Sequence, residues 1–342
     1  MTAVTLTPGA PADVGIDAEQ LERAAGLLTG HVAAGDISAA SLFVARRGVS
    51  VMSRGFGRLR PEARAPAVDG DSIFLLASIT KPVTACAMML LVDEGLISLD
   101  DKVQQHLPEF TGWDKAKITV RQLLSHVSGM PDMLPENTAL RRAHRPMSAF
   151  VAGALRTQLL FQPGTDFSYQ SKGILLAAEI VERITGQRLR NVEKARIFQP
   201  LGMKNTFFDD DNAEIPNRVR SYKPTDDHFE EIPKNFTIVG SGGLLTTIGD
   251  LLQWDRNFYD PQVGGRDFVE QLQTPGMLND GTRLDYAAGL VVGCYKGLKT
   301  VQHSGGMLGF RTHMLRFPDQ RFTVICLGNL SSFDSAKHAT AI

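Results

Sequence analysis

The sequence predicts an α+β fold: an antiparallel sheet flanked by helices, with a mostly helical part inserted into the chain that forms the sheet. Three observations carry this. Residues 41–57, "SLFVARRGVSVMSRGFG", read as two short strands around Arg47-Gly48, a hairpin signal. Near the other end, "YAAGLVVGCY", "KTVQHSG", "FRTHMLRFP" and "RFTVICLGN" are four short runs rich in β-branched and aromatic residues, broken by turns. From residue 75 to about 260 the punctuation is instead that of helices. With the hairpin joined to the late strands, one sheet is built from both chain ends. The expected division is therefore residues 1–75 with 260–342 as an α/β sandwich, and 76–259 as a mostly helical part.

The elements follow in order. Residues 17–33, "DAEQLERAAGLLTGHVA", carry apolar residues at helical spacing. The run 75–95, "LLASITKPVTACAMMLLVDEG", is apolar for almost its whole length and reads as a buried helix. "ITVRQLLSH" starts at a candidate cap, Thr119, and ends before Ser128-Gly129. The polar stretch 133–148, "MLPENTALRRAHRPMS", reads as irregular, a surface loop or a lid. "SKGILLAAEIVERITG" places Ile174, Ala178, Val181 and Ile184 on one stripe and stops at Gly186, with Glu179 and Arg183 paired at i, i+4 on the outer side. "TTIGDLLQWDRNF" is a further helix.

Composition narrows the function. A chain of 342 residues buries roughly three quarters of its unfolded surface and needs no disulfide or metal to hold a core. Lys plus Arg total 36 against 37 Asp plus Glu, a net charge of −1, which is no footprint for nucleic acid or an anionic membrane. No run of about 20 apolar residues is present to span a bilayer. The opening "MTAVTLTPGAPADVG" lacks the basic start and apolar core of a signal peptide, so a cytoplasmic protein is expected. Cys86, Cys294 and Cys326 sit in apolar stretches and match no zinc or redox spacing; buried free thiols are expected. The eight histidines show no H-E-x-x-H or His-Cys cluster, so no metal site and no cofactor are expected. His126 in "LSHVSG" lies at a helix end, where it complements the helix dipole. "GSGGLLTTIG" fits neither a dinucleotide fingerprint nor a P-loop, and no G-x-S-x-G occurs.

Chemistry concentrates at the front of the apolar helix, where Ser78 and Lys81 stand three residues apart. A serine hydroxyl is a poor nucleophile until a neighbour takes its proton. Positions i and i+3 share a helix face, so the lysine reaches the serine oxygen. It serves as base only when neutral, which requires burial or a nearby cation to lower its pKa from about 10.4. The helix N-terminus supplies free N–H groups for a developing oxyanion. Pro82 disfavours helical geometry at Lys81, so an irregular first turn is expected there.

Two further motifs accompany this one. "FSYQSKG" contains Tyr169 and Ser171, the single Y-x-[SN] of the chain, and "VQHSGGMLGF" contains His303, Ser304, Gly305 and Gly306, its single [KH]-[ST]-G. With these three motifs in this order, the chain resembles the serine β-lactamase and penicillin-binding-protein superfamily, nearest the class C β-lactamase-like branch with family VIII carboxylesterases and D-aminopeptidases. "GLISLDDKVQQHLPEF", "ITVRQLLSHVSGMP" and "GSGGLLTTIGDLLQW" look like the same branch, and the likeness spans about residues 15–335. The resemblance implies a β-lactamase/transpeptidase-like fold with its site in a cleft between the two parts. It implies Ser78 as acylated nucleophile, with Lys81 its proton acceptor or the group that keeps a tyrosine ionised. Tyr169 would be the second base and return the proton to the leaving group. The oxyanion hole would be the N–H groups of Ser78 and Gly306.

Two positions depart from the lactamase pattern. Ser171 stands where that family has an amide-holding Asn, and alternatively caps the helix that follows. His303 stands where a lysine is usual; an imidazole is only partly charged near pH 7. The leading expectation is a serine hydrolase acting on a small carboxylic ester. The alternatives are a D-amino-acid peptidase or amidase, a β-lactamase, or an acyl-binding scaffold that has lost turnover.

Overall fold

Strands from the two chain ends lie side by side in one sheet in the computed structural model, which describes residues 7–208, 215–226, 228–232 and 239–342. Residues 1–6, which hold the first part of the stretch read for a signal peptide, lie outside the described residues. The sheet strands are β1 (Thr7–Pro8), β2 (Ala39–Arg46), β3 (Val49–Gly57), β4 (Val291–Tyr295), β5 (Leu298–Met307), β6 (Phe310–Phe317) and β7 (Phe322–Gly328). Their spatial order is β1-β3-β2-β7-β6-β5-β4. All pairs are antiparallel except β1 with β3. The ends of the chain meet where β2 pairs with β7, placing Val44 opposite Val324 and Leu42 opposite Cys326. The expected hairpin turn is Arg47-Gly48, with φ of 52° and 82°; two positive values make the primed turn whose twist suits a tight hairpin.

The helices used below are α1 (Ala18–Ala33), α2 (Thr80–Asp93), α3 (Ser171–Thr185), α4 (Leu189–Glu193) and α5 (Ser335–Thr340). One face of the sheet packs Leu42, Val44, Val324 and Cys326 against Leu21, Ala25 and Leu28 of α1 and Ala339 of α5. The other face packs Phe43, Ile325 and Leu327 into a larger cluster that continues through α2 and α3. Burial on both faces explains why β2 is apolar in succession and not alternating. The same logic holds for α2, which is buried on all sides and lacks a polar stripe. By contrast α3 is two-sided: Ile174, Ala178 and Val181 face inward, while Arg183 bonds Glu179 at 2.9 Å outside. It ends at Gly186 in the left-handed conformation, as expected of a C-terminal glycine.

Three expectations are corrected. The helix capped by Thr119 runs only over Val120–Leu124, because His126 takes a φ of 62° that no α-helix continues. The stretch 133–148 is not irregular: it holds the helix Asn137–Arg142 and the start of Met147–Arg156. The first of these buries no residue, so no apolar stripe announces it. Finally, Cys86 and Cys326 are buried but Cys294, on the edge strand β4, is exposed. Among the described residues no helix is long and apolar enough to cross a membrane.

The sheet meets the inserted helices at β5. A Cβ built on Gly305 would lie 2.1 Å from Leu76 O and 2.3 Å from Thr312 Oγ1. Gly305→Ala is expected to destabilise the protein by about 1–3 kcal/mol through overpacking, read as a lower urea midpoint at unchanged m-value. An unchanged midpoint would show that β5 has room to retreat.

Candidate active site

The residues that precede α2 are held from three sides. Phe74–Leu75 pairs with Leu244–Thr246, and Leu76 N–H donates to Leu244 O at 2.9 Å. Leu76 O accepts from Thr312 Oγ1 of β6 at 2.9 Å, and Leu244 N–H donates to Thr80 Oγ1 at 3.2 Å. Between these anchors Ala77 sits at φ 51°, a conformation that costs a non-glycine residue about 1 kcal/mol or more. The chain then makes one 3-10 turn, Ala77–Ile79, before α2 begins at Thr80. The irregular turn expected at Lys81 from Pro82 lies earlier: Lys81 is already within α2, with Pro82 in its first turn, where a missing N–H costs no helical bond. The 3-10 turn leaves Ser78 partly exposed while both its neighbours are buried.

Lys81 lies one turn on, 1% exposed. Its Nζ donates to Ser78 Oγ at 3.1 Å and to Ser241 O at 2.9 Å, and stands 4.9 Å from the centre of the Tyr169 ring. Burial pulls its pKa down to about 8; the Asp132 carboxylate pulls it up and the Arg141 guanidinium pushes it down.

Tyr169 occupies the extended residues ahead of α3. Ser168 N–H donates to His126 O at 3.0 Å, Gln170 is locked to Ser128 Oγ, and Ser171 N–H donates to Asp132 Oδ1 at 2.7 Å. The Tyr169 ring lies 4.6 Å from that of His126 and 6.0 Å from that of His303. Its hydroxyl shares a hydrogen bond with Ser78, but burial dominates and pushes its pKa up to about 12. Burial thus favours the neutral form of both groups, the phenol of Tyr169 and the amine of Lys81.

Strand β5 closes the site. Its partner β4 ends at the Gln302↔Val291 pair, so the edge from His303 to Gly306 is left open. On the other side, the two-residue Leu308-Gly309 turn closes on Met307↔Phe310. Alternation along the ladder makes Gly306↔Arg311 a non-hydrogen-bonded pair, so the Gly306 N–H points away from β6, toward the open edge. His303 is 5% exposed. Its Nδ1 lies 2.6 Å from Ser304 O, and a carbonyl only accepts, so Nδ1 carries the proton. Nε2 then accepts from the Tyr286 hydroxyl at 3.0 Å. Burial, aided by the charge of Lys81, lowers its pKa to about 4. The partly charged imidazole expected at this position is neutral here. The Ser304 hydroxyl turns away to His313 Nδ1 at 2.7 Å.

The structure thus brings together Ser78, Lys81 and Tyr169, with Gly305 and Gly306 alongside and His303 behind. Ser171 does not cap its helix. The cap position is Gln170, and the Asp132 carboxylate receives the free N–H from another segment. Sequence reasoning missed several neighbours. Tyr286 carries no motif. Ser241 acts through its carbonyl, which any residue possesses. His126, read as a dipole partner, is instead a fully buried plate between Tyr169 and Tyr286, at 4.6 and 4.5 Å, with neither ring nitrogen bonded. Asp132 acts on Lys81, Tyr169 and Lys172 through its field. Its place in "SGMPD", just after the expected helix end, was the available signal.

Comparison with known proteins gives the family and the fold. A family model described as Beta-lactamase matches residues 24–342. Penicillin-binding protein 4* of Bacillus subtilis (strain 168) is 31% identical over 280 residues, covering 76% of this chain and 61% of that protein. The D-aminopeptidase of Gluconobacter oxydans (strain 621H) is 25% identical over 296 residues, covering 84% of this chain and 54% of that protein. The chain spans less than two thirds of the length of these curated relatives. Among solved structures, the octameric penicillin-binding protein homologue from Pyrococcus abyssi matches with a TM-score of 0.83 at 25% identity, covering 93% of this chain and 75% of that one. The fold of D-amino acid amidase from Ochrobactrum anthropi SV3 complexed with L-phenylalanine matches with a TM-score of 0.79 at 22% identity, covering 93% of this chain and 96% of that one. On these matches, and with its three motifs converging on one cleft, the chain belongs to the beta-lactamase family, within the serine β-lactamase and penicillin-binding-protein superfamily.

Proposed function

We propose that the chain is a serine hydrolase that cleaves small carboxylic esters through an acyl-enzyme on Ser78. The observation that carries this is the 3.1 Å bond from a buried, pKa-lowered Lys81 to the Ser78 hydroxyl. In the proposed cycle neutral Lys81 takes the Oγ proton as Oγ attacks the ester carbonyl. The N–H groups of Ser78 and Gly306 hold the oxyanion. As the C–O bond breaks, Tyr169 gives its proton to the leaving alkoxide and is refilled from the Lys81 ammonium. Water then attacks the acyl carbonyl over the same groups, restoring free Ser78 and releasing the acid. The two-part division at residues 76 and 259 belongs to this proposal, the helices around α2 and α3 forming one wall and β5 the other.

The ester preference rests on what β5 lacks. A carboxylate-bearing β-lactam gains from a fixed cation at the position of His303, and that ring is neutral with both nitrogens occupied. A small ester requires neither that cation nor an amide-holding side chain at Ser171. One observation favours a second reading, an amidase for substrates with a free α-amino group. Asp132 is half-buried at the cleft mouth, and its field reaches Lys81 and Tyr169. A carboxylate there suits a substrate ammonium, and the D-aminopeptidase relative is consistent with it.

Ser78→Ala is expected to lower kcat/KM for a nitrophenyl butyrate by at least about a thousandfold with the circular dichroism spectrum unchanged. Near wild-type turnover would remove Ser78 from the mechanism. For the wild type, kcat/KM is expected to rise with pH through a midpoint near 8, because the deprotonated Lys81 is the active form and burial has lowered its pKa to about that value. A rate still climbing only above pH 10 would mean that the lysine is untuned. Nitrophenyl butyrate is expected to exceed a chromogenic cephalosporin in kcat/KM by roughly ten- to a hundredfold, the worth of one absent charge-assisted contact. Lowering the pH to 5.5 brings no gain with the cephalosporin, since His303 stays neutral there. A cephalosporin that reacts faster would reverse the substrate assignment.

A further inference from the structure

Behind Lys81 lies a polar group that the cycle above does not use. Glu193, the last residue of α4, is completely buried, and among the described residues no cation pairs with it. Its Oε1 lies 3.1 Å from Thr84 Oγ1 of α2, and its Oε2 has no partner. The buried Cys86 thiol of the same helix is the other titratable group that feels it. Thr84 Oγ1 also lies 2.7 Å from Gly240 O. A hydroxyl owns one proton, and a carbonyl only accepts. The shorter contact therefore takes the Thr84 proton, and the contact to Glu193 is bonded only when the acid supplies the hydrogen. An ionised carboxylate would leave two oxygens facing each other, or would take the proton away from Gly240. Burial favours the same state, raising the Glu193 pKa to about 8, and a neutral acid tolerates an unbonded carbonyl oxygen far better than a carboxylate does.

Gly240 precedes Ser241, whose carbonyl holds the Lys81 amine at 2.9 Å. Gly240 has a φ of 97°, and a Cβ there would meet Ala178 Cβ at 2.8 Å, so the turn is set by close packing as well as by Thr84. The π-helical segment Lys194–Phe198 begins directly after Glu193; such widened turns are rare and recur at functional sites.

We propose that Glu193 is a positioning residue for Lys81: as a neutral acid it donates to Thr84, commits the Thr84 hydroxyl to the Gly240 carbonyl, and so fixes the Gly240-Ser241 turn that orients the amine toward Ser78. This rests on the reading of Lys81 as proton acceptor. No bond is made or broken; one proton stays on Glu193 throughout.

The test combines infrared spectroscopy with three variants of the full chain. The difference spectrum between wild type and Glu193→Gln at pH 6.5 is expected to contain the C=O stretch of a protonated, weakly bonded carboxyl group. Glu193→Gln, whose amide N–H replaces the acid proton, is expected to keep kcat within about threefold. Thr84→Ser keeps the hydroxyl and is expected to behave likewise. Thr84→Val keeps the shape and loses the hydroxyl; kcat is expected to fall at least about tenfold with KM within about twofold, because the amine and not the cleft is displaced. Absence of the carboxyl band, or a Thr84→Val protein with wild-type kcat, overturns the proposal. Failure of the parent reading is separate: an active Ser78→Ala protein would discard the nucleophile and leave the Glu193 band in place.

Discussion

One amine withheld from water organises this protein. Lys81 is 1% exposed and, among the described residues, has no carboxylate within bonding distance, so its charged form is disfavoured by burial. The groups that receive it come from separate places in the chain: Ser78 from the turn before its own helix, and Ser241 from a turn 160 residues on. The Tyr169 ring lies beside the amine, ahead of a third helix. Keeping an amine in this state requires all three segments to stay in register. The two-faced packing of the sheet and of α2 is what holds them there.

The sheet contributes in a second way, through an edge. Two sheet strands in contact satisfy their N–H and C=O groups mutually, and such groups are lost to chemistry. Because β4 stops at Val291↔Gln302, β5 runs past its partner and presents unpaired backbone to the turn carrying Ser78. Glycine at 305 permits contact at the backbone of Leu76. A ladder that ends early thus leaves backbone N–H groups free beside the site, which is what the proposed oxyanion hole uses.

Some of the strain and unmet hydrogen bonds among the described residues lie around the same point. Ala77 and His126 hold positive φ, His126 has two unbonded ring nitrogens, and Glu193 has an unbonded oxygen. Each is a cost that a structure selected only for stability would shed. They share one property: each lies within or directly behind the wall that faces Ser78, Lys81 and Tyr169. Neutral forms reconcile these groups with burial. The imidazoles of His126 and His303 are held below their ordinary pKa, and the Tyr169, Tyr286 and Glu193 groups above theirs. Burial thus favours the uncharged forms of these side chains around Lys81, and in such surroundings interactions with a developing charge are strengthened.

Local patterns in the chain determined a good deal. Turn residues and runs rich in β-branched and aromatic residues placed the Arg47-Gly48 hairpin and the four late strands. Helical periodicity placed α1 and α3, with Asp17 capping the first and Gly186 ending the second. Spacing put Ser78 and Lys81 within reach of each other across one turn, although Ser78 lies in the 3-10 turn before α2 and not on the helix itself. What depends on distant segments was decided only by tertiary structure. His303 owes its neutrality to burial and to the nearby charge of Lys81, neither of which is written in "HSG". Ser171 has no capping role because it is the first residue of the helix, and its own N–H is taken by Asp132, 39 residues earlier. The helix Asn137–Arg142 went unseen since it buries nothing and so leaves no apolar period. The partners of Lys81 and Thr84 at Gly240 and Ser241 are carbonyl oxygens, and a carbonyl is the one group that sequence cannot distinguish, since every residue carries it.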